Sequence, residues 1–281
     1  MRVRRPAVAG TFYPADPDNL LAMINRLFMD IGYQGIPSPS QGFRTVKGLM
    51  SPHAGYIYSG RTAAAGYGRL ASDGYPETFV IIGPNHTGLG ASISISSADY
   101  WETPLGRIEV DKELADEIVS SFDEASYDDL AHMAEHSVEV QVPFIQTIWP
   151  NSKIVPIVMA FQDPIYANRL ARSIAKAAKV LSRDVLVIAS SDMSHYLPEK
   201  EANLRDEAAL NAILEMDVEK MFRIIMEMDV SMCGPGPVAT AIYFSKLMGA
   251  NRAELIRYST SAETSGDYEH VVGYASVVFS E

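Results

Sequence analysis

Three histidines lie at equivalent points of the sequence, a few residues beyond the end of a predicted strand. With the apolar run that precedes each, they are His53 (45–50), His86 (78–82) and His195 (184–189). In open α/β sheets, the loops beyond the carboxyl ends of the strands form the ligand crevice. If these strands are parallel, the three imidazoles converge at one end of the sheet. Imidazole is the commonest metal ligand and the main acid–base group near neutral pH, so the pattern predicts a metal or acid–base site.

Cys233 is the only cysteine, and it could supply an anionic ligand or a nucleophile. It precedes Gly234-Pro235-Gly236-Pro237, a turn that leads into a predicted helix, and a helix N-terminus lowers the pKa of a thiol. Two histidines and one anionic ligand, either a carboxylate or this thiolate, suit Fe(II). The alternative is a small buried hydrophobic side chain. A single cysteine also excludes an internal disulfide and therefore a secreted, disulfide-stapled domain.

Several acidic residues stand close to histidines in the sequence. Asp192 lies three residues before His195 and could orient that ring or cap the following segment. His136 and Glu139 are three residues apart on a predicted helical face, beside Glu135. Such a pair could bind a metal, or it could be a solvated or capping pair. We count His136 and Glu139 as candidate pocket residues.

The elements that must position these side chains alternate between strand and helix. This order predicts an α/β fold, a single domain over residues 1–281 with a central mixed or largely parallel sheet flanked by helices. Beyond the three strands above, further strands are predicted at 92–96, 153–159, 254–258 and 271–279. Helices are predicted from Asp16-Pro17, near 61–70, from Asp111, at 138–149, 163–181, 198–214 and 218–228, and after Pro237.

The composition argues against several classes of partner. The chain carries 23 basic and 35 acidic side chains, a formal net charge of −12, which repels nucleic acid and anionic lipid. No run approaches the roughly 18 apolar residues of a membrane span. The arginines near the N-terminus are not followed by the apolar segment of a signal peptide. We therefore expect a cytoplasmic protein with no membrane or nucleic-acid partner.

The sequence resembles the Memo family along nearly its whole length. The motifs that carry the resemblance occur in order, and together they are specific. They are Arg5-Pro6-Ala7-Val8-Ala9-Gly10-Thr11-Phe12-Tyr13-Pro14, Ser51-Pro52-His53-Ala54-Gly55-Tyr56, Gly83-Pro84-Asn85-His86, Glu135-His136-Ser137-Val138-Glu139, Ser190-Ser191-Asp192-Met193-Ser194-His195 and Met232-Cys233-Gly234. Prokaryotic members are named AmmeMemoRadiSam system protein B and are found alongside a radical SAM protein, so the resemblance implies a functional link to such a protein. Animal relatives are linked to cell-motility signalling.

The resemblance implies a fold similar to class III extradiol dioxygenases, non-haem Fe(II) enzymes that open catechol rings. Those enzymes hold iron with two histidines and a glutamate, and a further histidine acts as acid and base. By resemblance, His53 and His86 match the two ligands and His195 matches the acid–base histidine. Cys233 stands where the dioxygenases carry the glutamate. Thiolate is softer than carboxylate, which favours copper over iron or changes the redox chemistry.

The leading hypothesis is a metal-binding, redox-active protein. His53, His86 and Cys233 would hold one iron or copper ion, with His195 and Asp192 as acid–base groups around it. If the protein is an enzyme, the resemblance implies a metal-dependent oxidoreductase.

Two alternatives use the same residues without a metal. In the first, the pocket captures a peptide or small molecule, with the histidines and Tyr56 supplying hydrogen bonds and stacking. In the second, the protein is a hydrolase that pairs Cys233, or a serine assisted by Asp192, with His195. Ser191 lacks the Gly-x-Ser-x-Gly elbow, which argues against the serine version.

Overall fold

The computed structural model describes residues 1–281 and contains twelve strands and nine α-helices. The strands are β1 (Val3–Arg4), β2 (Val46–Ser51), β3 (Thr78–Pro84), β4 (Ile93–Ile95), β5 (Tyr100–Thr103), β6 (Gly106–Glu109), β7 (Ala125–Tyr127), β8 (Lys153–Met159), β9 (Val185–Ser190), β10 (His195–Leu197), β11 (Arg252–Thr260) and β12 (Val271–Ser280). The helices are α1 (Pro17–Asp30), α2 (Tyr56–Ala71), α3 (Lys112–Ser121), α4 (Val142–Ile148), α5 (Pro164–Val180), α6 (Glu199–Leu214), α7 (Val218–Glu227), α8 (Pro235–Leu247) and α9 (Ala262–Ser265). Short 3₁₀ turns at Asp129–His132 and Glu139–Gln141 complete the elements.

A nine-stranded mixed sheet forms the centre of the fold. Its order is β10-β12-β2-β9-β3-β8-β4-β7, and β11 pairs with β12. Strands β2, β9, β3 and β8 run parallel to one another, whereas β4 is antiparallel to β8 and β12 is antiparallel to β2. This arrangement confirms the predicted α/β class with a mixed, largely parallel sheet. Because β2, β9 and β3 are neighbours, their carboxyl ends meet at one edge.

The central strands are apolar on both faces because helices cover both faces of the sheet. Every residue of β3 is buried, which is typical of a strand inside a parallel sheet. One apolar core lies on the face covered by α3, α5, α6, α7 and α8. The other lies on the face covered by α1, α2 and α4, and it also receives Trp101 and Ile108.

The differences from the predicted elements have local causes. The helix predicted at 138–149 is a 3₁₀ turn followed by α4, and Pro143 falls in the first turn of α4 without a kink. A small second sheet, β1-β5-β6, was not predicted. Its strands span two to four residues, which is too short to show an alternating pattern. No helix of the structure combines the length and apolarity needed to cross a membrane.

His132, at the end of the first 3₁₀ turn, makes folding stability depend on pH. Its ring is fully buried, Nε2 donates to the Ser94 carbonyl at 3.2 Å, and Nδ1 has no partner. Burial, reinforced by the Arg4 charge, lowers the pKa of His132 to about 4. The unfolded state therefore binds a proton between about pH 6.5 and pH 4 that the folded state does not bind. The free energy of unfolding is then expected to decrease as the pH is lowered through that window, by up to about 3 kcal/mol from this group.

Urea unfolding at several pH values, for the wild type and for His132→Gln, measures this contribution. The variant is expected to lose less stability than the wild type between about pH 7 and pH 4. His270→Gln is the control, since the His270 side chain is 70 % exposed. Parallel pH profiles for wild type and His132→Gln would contradict the assignment.

Candidate metal centre

Three imidazoles converge at the edge where β2, β9 and β3 end. His53 follows β2 and His86 follows β3, and their ring centroids lie 5.1 Å apart. His136, from the segment before α4, stacks on His86 at 4.5 Å and meets His53 edge-on at 5.3 Å. Each ring of this His trio (His53, His86 and His136) offers a nitrogen, and the three nitrogens lie within 4.8 Å of one another. This spacing is compatible with binding to one metal ion.

The tautomer of His53 follows from a buried hydrogen-bond chain. Tyr67 donates to Gln141 Oε1 at 2.8 Å, and Gln141 Nε2 donates to Ser190 Oγ at 2.8 Å. The Ser190 hydroxyl gives its own proton to the Ser137 carbonyl at 2.6 Å. The contact of 2.9 Å between His53 Nδ1 and Ser190 Oγ must therefore be donated by the ring. This leaves the Nε2 lone pair of His53 free for a metal.

Glu135 fixes the tautomer of His86 in the same way as Ser190 fixes that of His53. The carboxylate is 1 % exposed and accepts from His86 Nδ1 at 2.9 Å, so Nε2 is the nitrogen left for a metal. It also accepts from the backbone N–H groups of His86, His136 and Ser137 at 2.6, 2.9 and 2.9 Å. Burial alone would raise the pKa of Glu135, but the bonds and charge of His86 and these N–H groups bring it down to about 2. A carboxylate that orients a histidine ligand is a frequent companion of metal sites.

Two members of the His trio are held neutral. Burial, followed by the proximity of His136 and His86, holds the pKa of His53 well below its usual value. Burial, together with His86, lowers the pKa of His136 to about 4. Neutral imidazole is the form that binds metal, so these rings are ready as ligands at neutral pH without losing a proton.

Cys233 joins the site through His53. Its sulfur lies 3.2 Å from His53 Nε2 and accepts the Asp192 backbone N–H at 3.2 Å. The expected lowering of the thiol pKa by the α8 N-terminus was wrong, because burial and the Asp192 carboxylate raise the pKa of Cys233. Without a metal, the group is a thiol that donates to His53 Nε2. The serine and cysteine hydrolase schemes both required His195, whereas the thiol contacts His53 instead.

Asp192 and His195 follow β9, but the Asp192 carboxylate does not hydrogen-bond the His195 ring, which was one of the two roles that the sequence left open for it. The Asp192 carboxylate accepts the backbone N–H groups of His53, at 2.8 Å, and of Ala54. Burial raises the pKa of Asp192 to about 6. The His195 ring is oriented by Ser231, whose carbonyl accepts Nδ1–H at 2.8 Å. Asp192 therefore fixes the His53 loop, and His195 is left with a free Nε2 on the pocket wall.

A cavity of about 600 Å³ opens in front of the His trio. Asp192 and His195 line it together with four aromatic side chains, Phe12, Tyr58, Tyr196 and Tyr274. Tyr196 has a φ of 58°, a strained conformation for a bulky residue, and its side chain lines the cavity while 73 % exposed. The volume is that of a small-molecule site.

Two candidate pocket residues lie beneath the pocket surface instead of lining it. Tyr56 is buried and donates to the Val140 carbonyl at 2.5 Å. Glu139 is fully buried and accepts from Arg4, from Tyr13 at 2.5 Å, and from two backbone N–H groups of the N-terminal segment. His136 and Glu139 therefore have different roles: His136 belongs to the His trio, and Glu139 forms a buried ion pair with Arg4.

Sequence reasoning did not assign roles to Ser190, Gln141 or Phe12. Ser190 was visible as the first residue of a quoted motif, but its partners come from distant parts of the chain. Gln141 is a polar residue in an otherwise apolar stretch, which could have signalled a buried hydrogen-bonding role. Phe12 packs against His136, with ring centroids 4.5 Å apart, through a contact that no local pattern predicts.

Comparison with known proteins agrees with the motifs. A sequence model of the family described as "Memo-like protein" matches residues 4–278. A MEMO1 family protein of Thermococcus kodakarensis is 49 % identical, with 99 % of each chain covered. One from Ignicoccus hospitalis is 47 % identical, again with 99 % of each chain covered. The fold is similar to the crystal structure of an uncharacterized protein of Escherichia coli K12, at a TM-score of 0.53 and 12 % identity, covering 82 % of this chain and 99 % of that one.

Proposed function

The chain belongs to the Memo family, and we propose that it binds one transition-metal ion at the His trio. The observation that carries the proposal is the convergence of three imidazole nitrogens within 4.8 Å, at the mouth of a ligand-sized cavity. The hydrogen bonds from His53 Nδ1 to Ser190 and from His86 Nδ1 to Glu135 support it, because they turn the other nitrogen of each ring toward the shared space.

The donor set fits iron or copper. Imidazole nitrogen suits both metals, and a sulfur donor favours copper. Cys233 contacts His53 Nε2, the atom that a metal would use, so the thiol is placed to become a further ligand once it loses its proton. His53, His86 and Cys233, the set implied by the family resemblance, and His136 together offer four donors. The cavity lining contains no lysine or arginine side chain that would repel a cation.

The chemistry that we propose for this centre is oxidation of a small molecule held in the cavity, with dioxygen as the oxidant that accepts the electrons that the molecule loses. The bound metal would supply Lewis acidity and redox capacity. His195, with Nδ1–H held by Ser231, presents a free Nε2 that can accept or return a proton of the ligand. Phe12, Tyr58 and Tyr274 provide apolar walls. A functional link with a radical SAM protein is the partner that we propose from the family resemblance.

A second candidate is a binding module that captures a small molecule or peptide without a metal. The four aromatic side chains around the cavity favour it, since aromatic walls bind ligands without further chemistry. Ligand binding that is unchanged after metal removal would favour this candidate.

The test is metal content. We expect protein purified without chelator or affinity tag to contain, or to take up anaerobically, close to one Fe(II) or Cu(I) per chain. Elemental analysis after desalting measures the ratio, and a strong chelator should remove the ion without unfolding the chain. Absence of tight uptake of either ion would refute the metal proposal and leave the ligand-binding module.

A further inference from the structure

Glu135 is a buried anion without a matching cationic side chain. It is 1 % exposed, and its ion-pair partners are the two histidines His86 and His136. The arginine that comes near is Arg4, which donates to the Glu135 main-chain carbonyl at 2.8 Å and not to its carboxylate. The charge of Arg4 is already matched by Glu139. A buried charge is costly unless it is paired, so the Glu135 carboxylate needs positive charge from another source.

The positive charge that would match the Glu135 carboxylate could be supplied at the His trio. Glu135 Oε1 lies 2.9 Å from His86 Nδ1 and 3.5 Å from His136 Nδ1, so one oxygen contacts two rings of the trio. Three N–H donors point at Oε1 and one at Oε2, and hydrogen bonds of this kind favour the ionised carboxylate. As metal ligands the three rings would be neutral imidazoles and would add no charge of their own. A metal ion bound by the trio would be a cation close to the Glu135 carboxylate, separated from it by the rings of His86 and His136.

On the basis of the proposed metal site, we propose that Glu135 is a positioning and charge-matching residue that makes the His trio prefer a dication over a monovalent cation. The physical reason is that a fixed negative charge attracts a dication with twice the energy that it attracts a monovalent ion at the same position. Asp192, whose Oδ2 lies 3.9 Å from His53 Nε2, is a second carboxylate beside the trio and remains when Glu135 is neutralised.

The ratio of the Co(II) affinity to the Cu(I) affinity tests the proposal. Co(II) and Cu(I) are titrated anaerobically into the wild type and Glu135→Gln, each against a competing chelator. Loss of an outer carboxylate typically weakens metal binding by about 10- to 100-fold. We expect a fall of about 100-fold for Co(II) and about 10-fold for Cu(I), so that the affinity ratio drops by about tenfold. A general defect of folding lowers both affinities in one variant alike and leaves their ratio unchanged.

Two further variants serve as controls, one for the loss of any buried carboxylate and one for the charge of Glu135. Asp111→Asn removes another buried carboxylate, which lies beside Thr78 at the opposite end of β3 and pairs with Arg183. It is expected to lower stability and leave the ratio unchanged. Glu135→Asp keeps the charge on a shorter side chain and should give a ratio between those of the wild type and Glu135→Gln.

The outcomes separate the two proposals. A wild type that binds neither ion refutes the metal site itself, and the role of Glu135 with it. A wild type that binds both ions, with an unchanged ratio in whichever Glu135 variant folds, overturns charge matching and leaves the metal site standing. A reduced ratio in Glu135→Gln, with Asp111→Asn unchanged, supports it.

Discussion

Replacing His86 with alanine is expected to weaken transition-metal binding more than 100-fold, or by at least about 3 kcal/mol. His86 presents Nε2 to the shared space because Glu135 holds Nδ1, and its ring contacts both other members of the His trio. Its removal takes away a ligand and also deprives the buried Glu135 carboxylate of a hydrogen bond. The loss should therefore exceed that caused by changing an outer residue alone, about 10- to 100-fold.

Affinity for Co(II), measured by competition with a chelator, checks this expectation. The matched control is His195→Ala, which removes an imidazole that lines the same cavity but does not belong to the trio. That variant should keep its metal affinity while losing acid–base chemistry on a ligand. Equal losses in the two variants would mean that the metal sits elsewhere in the cavity. Urea unfolding of the metal-free proteins separates loss of affinity from loss of fold.

The comparison between His136 and Cys233 identifies the remaining donors. His136→Ala should weaken Co(II) and Cu(I) alike, because a neutral nitrogen serves both ions. Cys233→Ala should affect Cu(I) more than Co(II), because the softer ion gains more from sulfur. If Cys233→Ala instead weakens Co(II) as strongly as His86→Ala does, the thiolate and not His136 is the third ligand.

His53 and His86 could be predicted to converge because a simple rule connects sequence with position. Each follows a buried strand, and parallel neighbouring strands bring their carboxyl ends to one edge of the sheet. The strand assignments were accurate to within about two residues because the strands are short, continuous apolar runs between turn residues. The same rule placed His195 near the cavity.

The remainder of the site depends on contacts between distant parts of the chain. His136 lies before α4 and not after a strand, so the strand-end rule said nothing about it. The raised pKa of Cys233 depends on burial and on Asp192, which only the folded structure supplies. Glu139 shares a short motif with His136, but its partners are Arg4 and Tyr13, more than a hundred residues earlier. Local spacing could not separate these two roles.

Replacing Glu139 with glutamine is expected to destabilise the fold by about 3–5 kcal/mol. The carboxylate is fully buried and pairs with Arg4, whose side chain is 8 % exposed. It also accepts the backbone N–H groups of Ala7 and Val8 at 2.8 and 3.1 Å. Glutamine preserves the shape but leaves the guanidinium as an uncompensated buried charge. Such a loss is a large part of the 5–15 kcal/mol that holds a typical domain together.

Urea unfolding measures the loss, with Glu102→Gln as the control. Glu102 pairs with Arg5, whose side chain is 82 % exposed, and such surface pairs contribute at most about 1 kcal/mol. A Glu139→Gln variant as stable as Glu102→Gln would show that the buried pair contributes nothing net. In that case a double mutant that replaces both Arg4 and Glu139 should be no more stable than either single variant.

Glu139→Gln should also weaken metal binding, although Glu139 contacts none of the proposed metal ligands. Glu139 anchors the segment that ends in Phe12. The Phe12 ring packs against His136 at 4.5 Å, and the Phe12 carbonyl accepts the Tyr56 backbone N–H at 2.8 Å. Loosening the segment would free His136 while leaving His53 and His86 in place. Limited proteolysis should therefore cut the variant first near its N-terminus, and Co(II) affinity should fall less than in His86→Ala. An N-terminal segment as protease-resistant as in the wild type would contradict this anchoring role.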